Sequence, residues 1–298
     1  MDFHALFEKT FHEALNLLQG PFWVAEDFCH YTNLQGLIGI IENNELWLSD
    51  HRFVNDELEY EYGKQLALSV ISEIANLEGD EEFSGFLQGL LKSIQKPSSH
   101  GIYIGSMSFS PDKLDQWKGY GNSSESICIK FAGDFELWNA KNSHPSHIQQ
   151  QRVIYDEGKQ RGLIRAIVQI FKEHFDEFRK FPYPFLNDLT WLIESQFILF
   201  KHPEYASEDE LRLTISNLNH ILESKKPKHR IAKGMVIPYI STKYISNDAN
   251  PLLNRLPIKE IIVSPTSRPD LLESVKVFVA NMGHTDVQVV ESRIKFRG

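Results

Sequence analysis

The stretch FCHYTNLQGLIGIIENNELWLSD, residues 28–50, limits what this chain can fold into more than any other. Residues 28–31 read as a short strand. Thr32 is a good helix N-cap residue, and Gln35 follows at the third helical position, a capping-box pattern. Leu34, Leu37, Ile38 and Ile41 then recur at helical spacing, so one face of the helix is apolar. Asn43 and Asn44 stop the helix, and a second strand is expected over 45–48. A histidine, a hydroxyl and an amide therefore sit where a strand gives way to a helix start. There, side chains and free backbone N–H groups can face a ligand; an ordinary capped strand–helix–strand unit gives the same pattern, and spacing alone does not separate the two.

Composition narrows the classes. A chain of 298 residues builds one large domain or two small ones with a sizeable core. Apolar residues at 42% and charged residues at 24% are ordinary for a globular protein. A formal charge of -9 supplies no overall basic field for nucleic acid, although a local patch remains open. Cys29 and Cys128 both lie in apolar strand-like runs without metal or disulfide spacing, so buried, reduced thiols in a cytoplasmic protein are expected. Residues 1–24 carry Phe3, Leu6, Phe7, Phe11, Leu15 and Leu18 in a helical stripe interrupted by His4, Glu8, Lys9, His12 and Glu13. That pattern suits a helix docked on the domain, or a partner-binding helix, rather than a signal peptide. No apolar run approaches the length of a membrane span.

Further along, Asn55 is placed to cap a helix whose first turn, Asp56-Glu57, suits the helix dipole and whose buried stripe is Leu58, Tyr62, Leu66, Val70 and Ile74. A second helix is expected over 81–95. The period then falls to two. Residues 102–110 read as a strand with Ser106, Ser108 and Ser110 on one face, open either to a ligand or to water. A short helix over 112–120 follows, with strands over 126–131 and 152–156. From 157 to about 205 the chain turns helical, broken at residues 181–185 (FPYPF), as an insert beside the sheet. Strands over 234–239, 258–264 and 287–296 and a helix over 269–282 complete the tail, with Pro269 in that helix's first turn. The irregular alternation argues for α+β in a single domain over 25–298.

The second informative stretch is KHPEYASEDELRLTIS, residues 201–216. From Glu208 polarity alternates, sending Glu208, Glu210 and Arg212 to one side and Leu211 and Leu213 to the other. Such a face is either a solvated charge ladder or a site in which the arginine holds a carboxylate in place. A carboxylate on that face is what cleavage of a glycosidic bond requires, because it offsets charge on an oxocarbenium-like sugar. The residue strip Lys225, Lys226, Lys228, His229 and Arg230 is basic, read as an exposed loop or a contact for a phosphate backbone. No phosphate loop, nucleophile elbow or Cys/His metal spacing is present, so no metal is expected.

These marks together resemble the DUF2971 family of bacterial proteins. The resemblance rests on His30-Tyr31-Thr32 with its helix, the 45–50 strand, Asn55-Asp56 with Glu59, Ser108-Phe109-Ser110, and Asp115-Gln116-Trp117 with Tyr120. It continues through Val153-Ile154-Tyr155, Glu208-Asp209-Glu210-Leu211-Arg212, residues 260–265 and residues 292–297. That family is in turn similar to a divergent ADP-ribosyltransferase fold, implying an α+β architecture with a split mixed β-sheet, flanking helices and a helical insert. The resemblance implies NAD as substrate, with His30, Tyr31, Thr32, Asn55, Ser108, Ser110, Trp117, Tyr120 and Arg212 lining its site. Glu210 would be the catalytic carboxylate and Glu208 an acceptor-activating base. The gene product would be a toxin or defence effector that modifies a protein or nucleic acid (RNA or DNA), with an antitoxin or other partner protein conceivable and no membrane association. Two other expectations stay open: a non-catalytic nucleotide-sensing or protein-interaction module on the same fold, and an NAD glycohydrolase. The transferase expectation is geometric: His30, Ser108, Tyr120 and Glu210 should converge in one pocket.

Overall fold

The computed structural model describes residues 6–7, 9–10, 13–14, 26–53, 57–97, 101–120, 125–133, 149–215, 227–232, 234–241 and 255–295. The chain forms two compact units. One comprises Met1–Trp23, His51–Ile102 and Gln151–Ala206; the other comprises Val24–Asp50, Tyr103–Gln150 and Ser207–Gly298. The architecture is mixed α+β, with an open mixed sheet and several helices.

The second unit is built on the sheet, ten-stranded among the described residues. Its strands are β1 (Phe28–Asn33), β2 (Trp47–Asp50), β3 (Tyr103–Ser108), β4 (Ser126–Phe131), β5 (Gln149–Arg152), β6 (Glu210–Ile215), β7 (Lys228–Ala232), β8 (Met235–Ser241), β9 (Ile258–Val263) and β10 (Gln288–Glu291). They run in the order β10-β9-β4-β1-β3-β2-β8-β7, with β6 pairing β3 and β5 pairing β6. The β9–β10 pair is parallel, while β1, β3, β4, β7 and β8 pair antiparallel with their neighbours. One face of the sheet buries Phe28, Leu48, Met107, Ile127, Ile129, Leu211 and Leu213 against helix α1 (Leu34–Asn43) and a later helix, Leu271–Asn281, through Leu37, Ile41, Val275 and Val279.

The strand–helix–strand stretch forms with shifted boundaries. β1 runs two residues beyond the expected end because Thr32 and Asn33 pair with Ile127 and Ser126 on β4. The N-cap of α1 is therefore Asn33, not Thr32: its side chain accepts from the Gly36 N–H at 2.8 Å. β-branched Thr32 stays in the strand, where its stiff side chain fits. Gly36 is required beside it, since a Cβ there would overlap the Thr32 hydroxyl. Asn44 takes the left-handed conformation, φ 54°, and ends the helix as expected. Glu45 is still held by the Ile40 carbonyl at 3.3 Å, so β2 starts at Trp47 rather than at residue 45.

The other unit is helical. It contains α2 (Glu57–Leu77), α3 (Glu81–Gln95), α5 (Glu157–Glu173), α6 (Phe175–Phe178) and α7 (Pro182–Phe197), with α4 (Leu114–Tyr120) and α8 (Leu271–Asn281) belonging to the sheet unit. α3 has the bounds its apolar period predicts, with Asp80 accepting from the Glu82 and Phe83 N–H groups as N-cap. Its core is phenylalanine: Phe86 and Phe178 each stack on Phe185 with centroids 4.4 Å apart. Phe7 reaches Phe171 at 5.8 Å, within the segment expected to dock. Pro182 opens α7 instead of breaking it, because the first helical turn needs no N–H from that residue. Gly63 of α2 lies against Phe197, where a Cβ would come within 2.7 Å of the backbone, so the two helices cross only because no side chain intervenes.

Candidate functional site

The pairing around β3 creates an unusual opening in the sheet. β6 pairs with β3 along its whole length, from Tyr103↔Ile215 to Ser108↔Glu210. That leaves one edge of β3 for two strands. β1 meets it at Cys29↔Ser108, and β2 meets it at Ser49↔Ile104 and Asp50↔Tyr103. Between these contacts, residues 105–107 of β3 pair with neither strand on that edge. The sheet forks there, and the Ser106 carbonyl loses its ladder partner. His30 takes its place, with Nδ1 3.3 Å from Ser106 O. A carbonyl only accepts, so in that contact Nδ1 carries the proton. Burial, and secondarily the positive charge of Arg230, hold the His30 ring below the ordinary histidine pKa.

Alternation along β1 sends Cys29 and Tyr31 to the side opposite His30. There Tyr31 meets Trp117 edge-on at 5.0 Å, and both pack with Cys29, Cys128 and Ile262. The Tyr31 hydroxyl donates to Ser110 O at 2.9 Å and accepts from the Lys113 N–H at 3.0 Å. Burial raises the Tyr31 pKa, so the phenol stays protonated. Trp117 is 3% exposed and donates its indole N–H to Asp112 at 2.8 Å. Asp112, held at φ 56°, also accepts from the Ser292 hydroxyl and from the Arg293 N–H at 2.7 Å. Trp117 is thus a buried support with no ring face turned to a ligand, unlike the stacking platform implied for it. Cys29 and Cys128 are free, buried thiols, and each other's proximity together with burial pushes the Cys29 thiol up.

Glu210 and Arg212 lie on the β3-facing strand opposite Ser108 and Ser106. Arg212 grips the carboxylate at both oxygens, Nε to Oε1 at 2.8 Å and Nη2 to Oε2 at 3.1 Å. The two residues are only 6% and 2% exposed, so this is a buried bidentate pair rather than a solvated ladder. Glu208 corrects the expected alternation. It ends a 3₁₀ helix, Pro203–Glu208, and Asp209 at φ 47° separates it from the strand. Its backbone helps build the local structure: Glu208 O accepts from Ser108 Oγ at 3.1 Å and from Gln116 Nε2 at 3.2 Å. Ser110, expected in the strand, lies beyond it and donates to Asp209 Oδ2 at 2.9 Å.

Of the predicted site residues, register puts Ser108, Glu210 and Arg212 on the sheet face that carries Cys29 and Tyr31, whereas alternation sends His30 to the opposite face, so pairing does not gather His30 with Ser108 and Glu210 on one face. Tyr31 and Trp117 sit in the packed cluster on the Cys29 face, the Ser110 carbonyl accepts from the Tyr31 hydroxyl, and Thr32 closes β1 beside α1. Tyr120 ends α4, and its side chain, like all of Asn55, lies outside the described residues. One strand at the end of the sheet has no counterpart in the sequence expectations. Residues 228–232, read within a basic loop, form strand β7, paired with β8 from Lys228↔Tyr239 to Ala232↔Met235. Arg230 crosses β8 to donate from Nη2 to Ser49 Oγ at 2.8 Å, with its guanidinium 5.9 Å from the Trp47 ring, which stacks on Tyr239 at 4.4 Å. The sequence KHRIA has no polar–apolar alternation to mark it as a strand; its pairing with β8 makes it one. Among the described residues no cluster of histidine, cysteine or acid side chains could hold a metal, and no helix is long and apolar enough to cross a membrane.

No curated protein and no solved structure matches this chain. Residues 116–213, from α4 through most of β6, match the model of DUF2971, a family described as a protein of unknown function, and that match supports the family resemblance carried by the sequence motifs.

Proposed function

We propose that this chain is an NAD-dependent ADP-ribosyltransferase whose substrate enters the fork between β1 and β2. What carries the reading is that fork: it opens a mixed sheet beside His30, and Glu210 with its Arg212 partner lies one strand further on, on β6 across β3. The DUF2971 match over residues 116–213 supports it together with the likeness we infer between that family and a divergent ADP-ribosyltransferase fold. In this scheme the C1′–N bond of NAD breaks and nicotinamide leaves with the bonding pair. Glu210, oriented by both nitrogens of Arg212, holds the ribose 2′-hydroxyl and offsets the positive charge on C1′. An O–H or N–H of a protein or nucleic-acid acceptor then bonds to C1′ and gives its proton to Glu208 or to water. A toxin or defence role, countered by a partner protein, belongs to the same proposal.

A second reading is favoured by one observation. Glu210 is 6% exposed and clamped by Arg212, while Ser108 and Ser110 spend their hydroxyls on internal bonds. A fold that has kept the fork but buried its carboxylate would bind a nucleotide without turning it over. One experiment separates the two: purified protein, NAD and cell extract as acceptor source, followed by nicotinamide release and by calorimetry. Release that disappears in Glu210→Gln, in a variant that still melts cooperatively, is the transferase outcome. Saturable binding with no release from any extract assigns the chain to the non-catalytic class and rejects the enzyme.

A further inference from the structure

Arg230 is a cation in an unusual setting. Among the described residues it forms no ion pair with a carboxylate, and its one hydrogen bond there is to a neutral hydroxyl, Ser49 Oγ at 2.8 Å. Its Nε–H is buried and meets no acceptor among the described residues. Burial lowers its pKa, a cost that an ordinary surface arginine does not bear. Trp47 backs the guanidinium at 5.9 Å, and Glu45, the nearby acid on that stretch, is committed elsewhere, to Trp47 Nε1 at 2.7 Å and to the Ser241 hydroxyl. Register places Arg230 on the same face as Ile237, Tyr239, Ser49 and Ile104, the polar face that also carries Ser106 beside the fork.

Ile231 and Val236, exposed on the β7–β8 hairpin, have nothing to say what covers them. Cys29 and Cys128 are fully enclosed. The phenylalanine cluster is core.

We propose that Arg230 and Ser49 form an oxyanion site that takes the phosphate group of a small organophosphate such as a nucleoside diphosphate. Nε–H and an Nη–H of an arginine present two parallel donors to two oxygens. Ser49 accepts from Arg230, so its own O–H proton is left to donate to a third oxygen. A guanidinium edge and a hydroxyl together offer up to three donors, which suits a tetrahedral phosphate better than a two-oxygen carboxylate. The single cation and the chain's charge of -9 favour a small ligand over a nucleic-acid backbone, which needs several cations in a row. The site stands whether or not NAD is cleaved, because it concerns binding at β7 and β2 alone.

The test is calorimetric titration of the full chain with ADP, inorganic phosphate and adenosine, with Trp fluorescence as a second readout. ADP and phosphate are expected to bind saturably and adenosine not to bind; binding should weaken as salt rises. Arg230→Gln is expected to weaken ADP by about tenfold or more, and Arg230→Lys by less, because the charge remains while the paired donors are lost. Should Arg230→Gln fail to fold, Ser49→Ala supplies the same comparison, with a loss of severalfold expected. Phosphate binding without preference for ADP assigns the site to the free anion. Equal affinity of ADP for wild type and Arg230→Gln, tight binding of adenosine, or no saturable binding of phosphate or ADP overturns the proposal, as does an RNA oligonucleotide that binds more tightly than ADP and displaces it. Nicotinamide release plays no part in these outcomes, so failure here leaves the transferase reading untouched, and the reverse holds.

Discussion

Glu210 and Arg212 illustrate how one pair of side chains can serve stability and chemistry together. Their bond is bidentate and almost wholly buried, so removing one partner strands the other charge. Arg212→Leu is expected to destabilise by about 3–5 kcal/mol, and the double replacement Glu210→Leu with Arg212→Met by much less. Urea unfolding of the three proteins checks this, and cooperative melting is the necessary control for any activity lost in Glu210→Gln. At the start of α1 the capping assignment gives a sharper contrast. Asn33→Ala should cost about 1 kcal/mol, because the Gly36 N–H loses its acceptor, whereas Thr32→Ala should act through strand packing alone. Two histidines set a pH dependence. Burial, reinforced by Arg230 at His30 and by Arg255 at His284, holds both rings below their ordinary pKa. Arg255 Nε donates to His284 Nδ1 at 2.8 Å, which only a neutral ring accepts. The unfolded chain therefore binds these protons first: the stability is fully present above about pH 6.5 and is lost as pH falls below it. The urea midpoint should drop between about pH 7.5 and about pH 5.5, and His284→Gln should shrink that drop.

Among the elements, those with strong local periods were legible and those defined by pairing were not. α3 and β4 have the bounds expected for them, because an apolar stripe with an Asp80 cap, or a short run of apolar residues buried on both faces, is a local property. β7 was missed, since its residues are polar and its strand character comes from β8. β6 was found, but its start was placed too early; the positive φ of Asp209 is a backbone decision that a charged Glu-Asp-Glu run does not announce. Pro269 likewise precedes α8, which begins at Leu271 behind an Asp270 N-cap. The crossing of α2 and α7 makes a testable point at this scale. Gly63→Ala would drive a methyl into the Phe197 backbone, which cannot rotate away as a side chain can. A loss of about 1–3 kcal/mol or more in a thermal or urea melt is expected, against a few tenths gained at an open helical glycine such as Gly85, where nothing lies within 4 Å.

For the molecule as a whole, the enclosed thiols report on the integrity of the sheet unit. Cys29 and Cys128 are both fully buried, and the Cys29 thiol is pushed up by its neighbour and by burial. Neither should react with an aromatic disulfide reagent in the native state, and both should react in denaturant; labelling rates then measure opening of the β1–β4 region. Fast native labelling of one thiol would mean that this part of the sheet opens on its own. The amino-acid sequence by itself determined the α+β class, the apolar stripes of the helices, the reduced and buried state of both cysteines, and the placement of His30 beside a strand-to-helix transition. These follow from composition and from periods of two and 3.6, which act over a few residues. Only the tertiary structure decided that β1 and β2 share one edge of β3, that Arg212 clamps Glu210 out of solvent, and that Arg230 reaches Ser49 across β8. The first and the last join residues whose separation along the chain carries no local signal, Ser49 and Arg230 being 181 positions apart, and the burial of the Glu210–Arg212 pair depends on the strands around it. The fork in the sheet is thus a property of pairing, and pairing is chosen by the whole core at once.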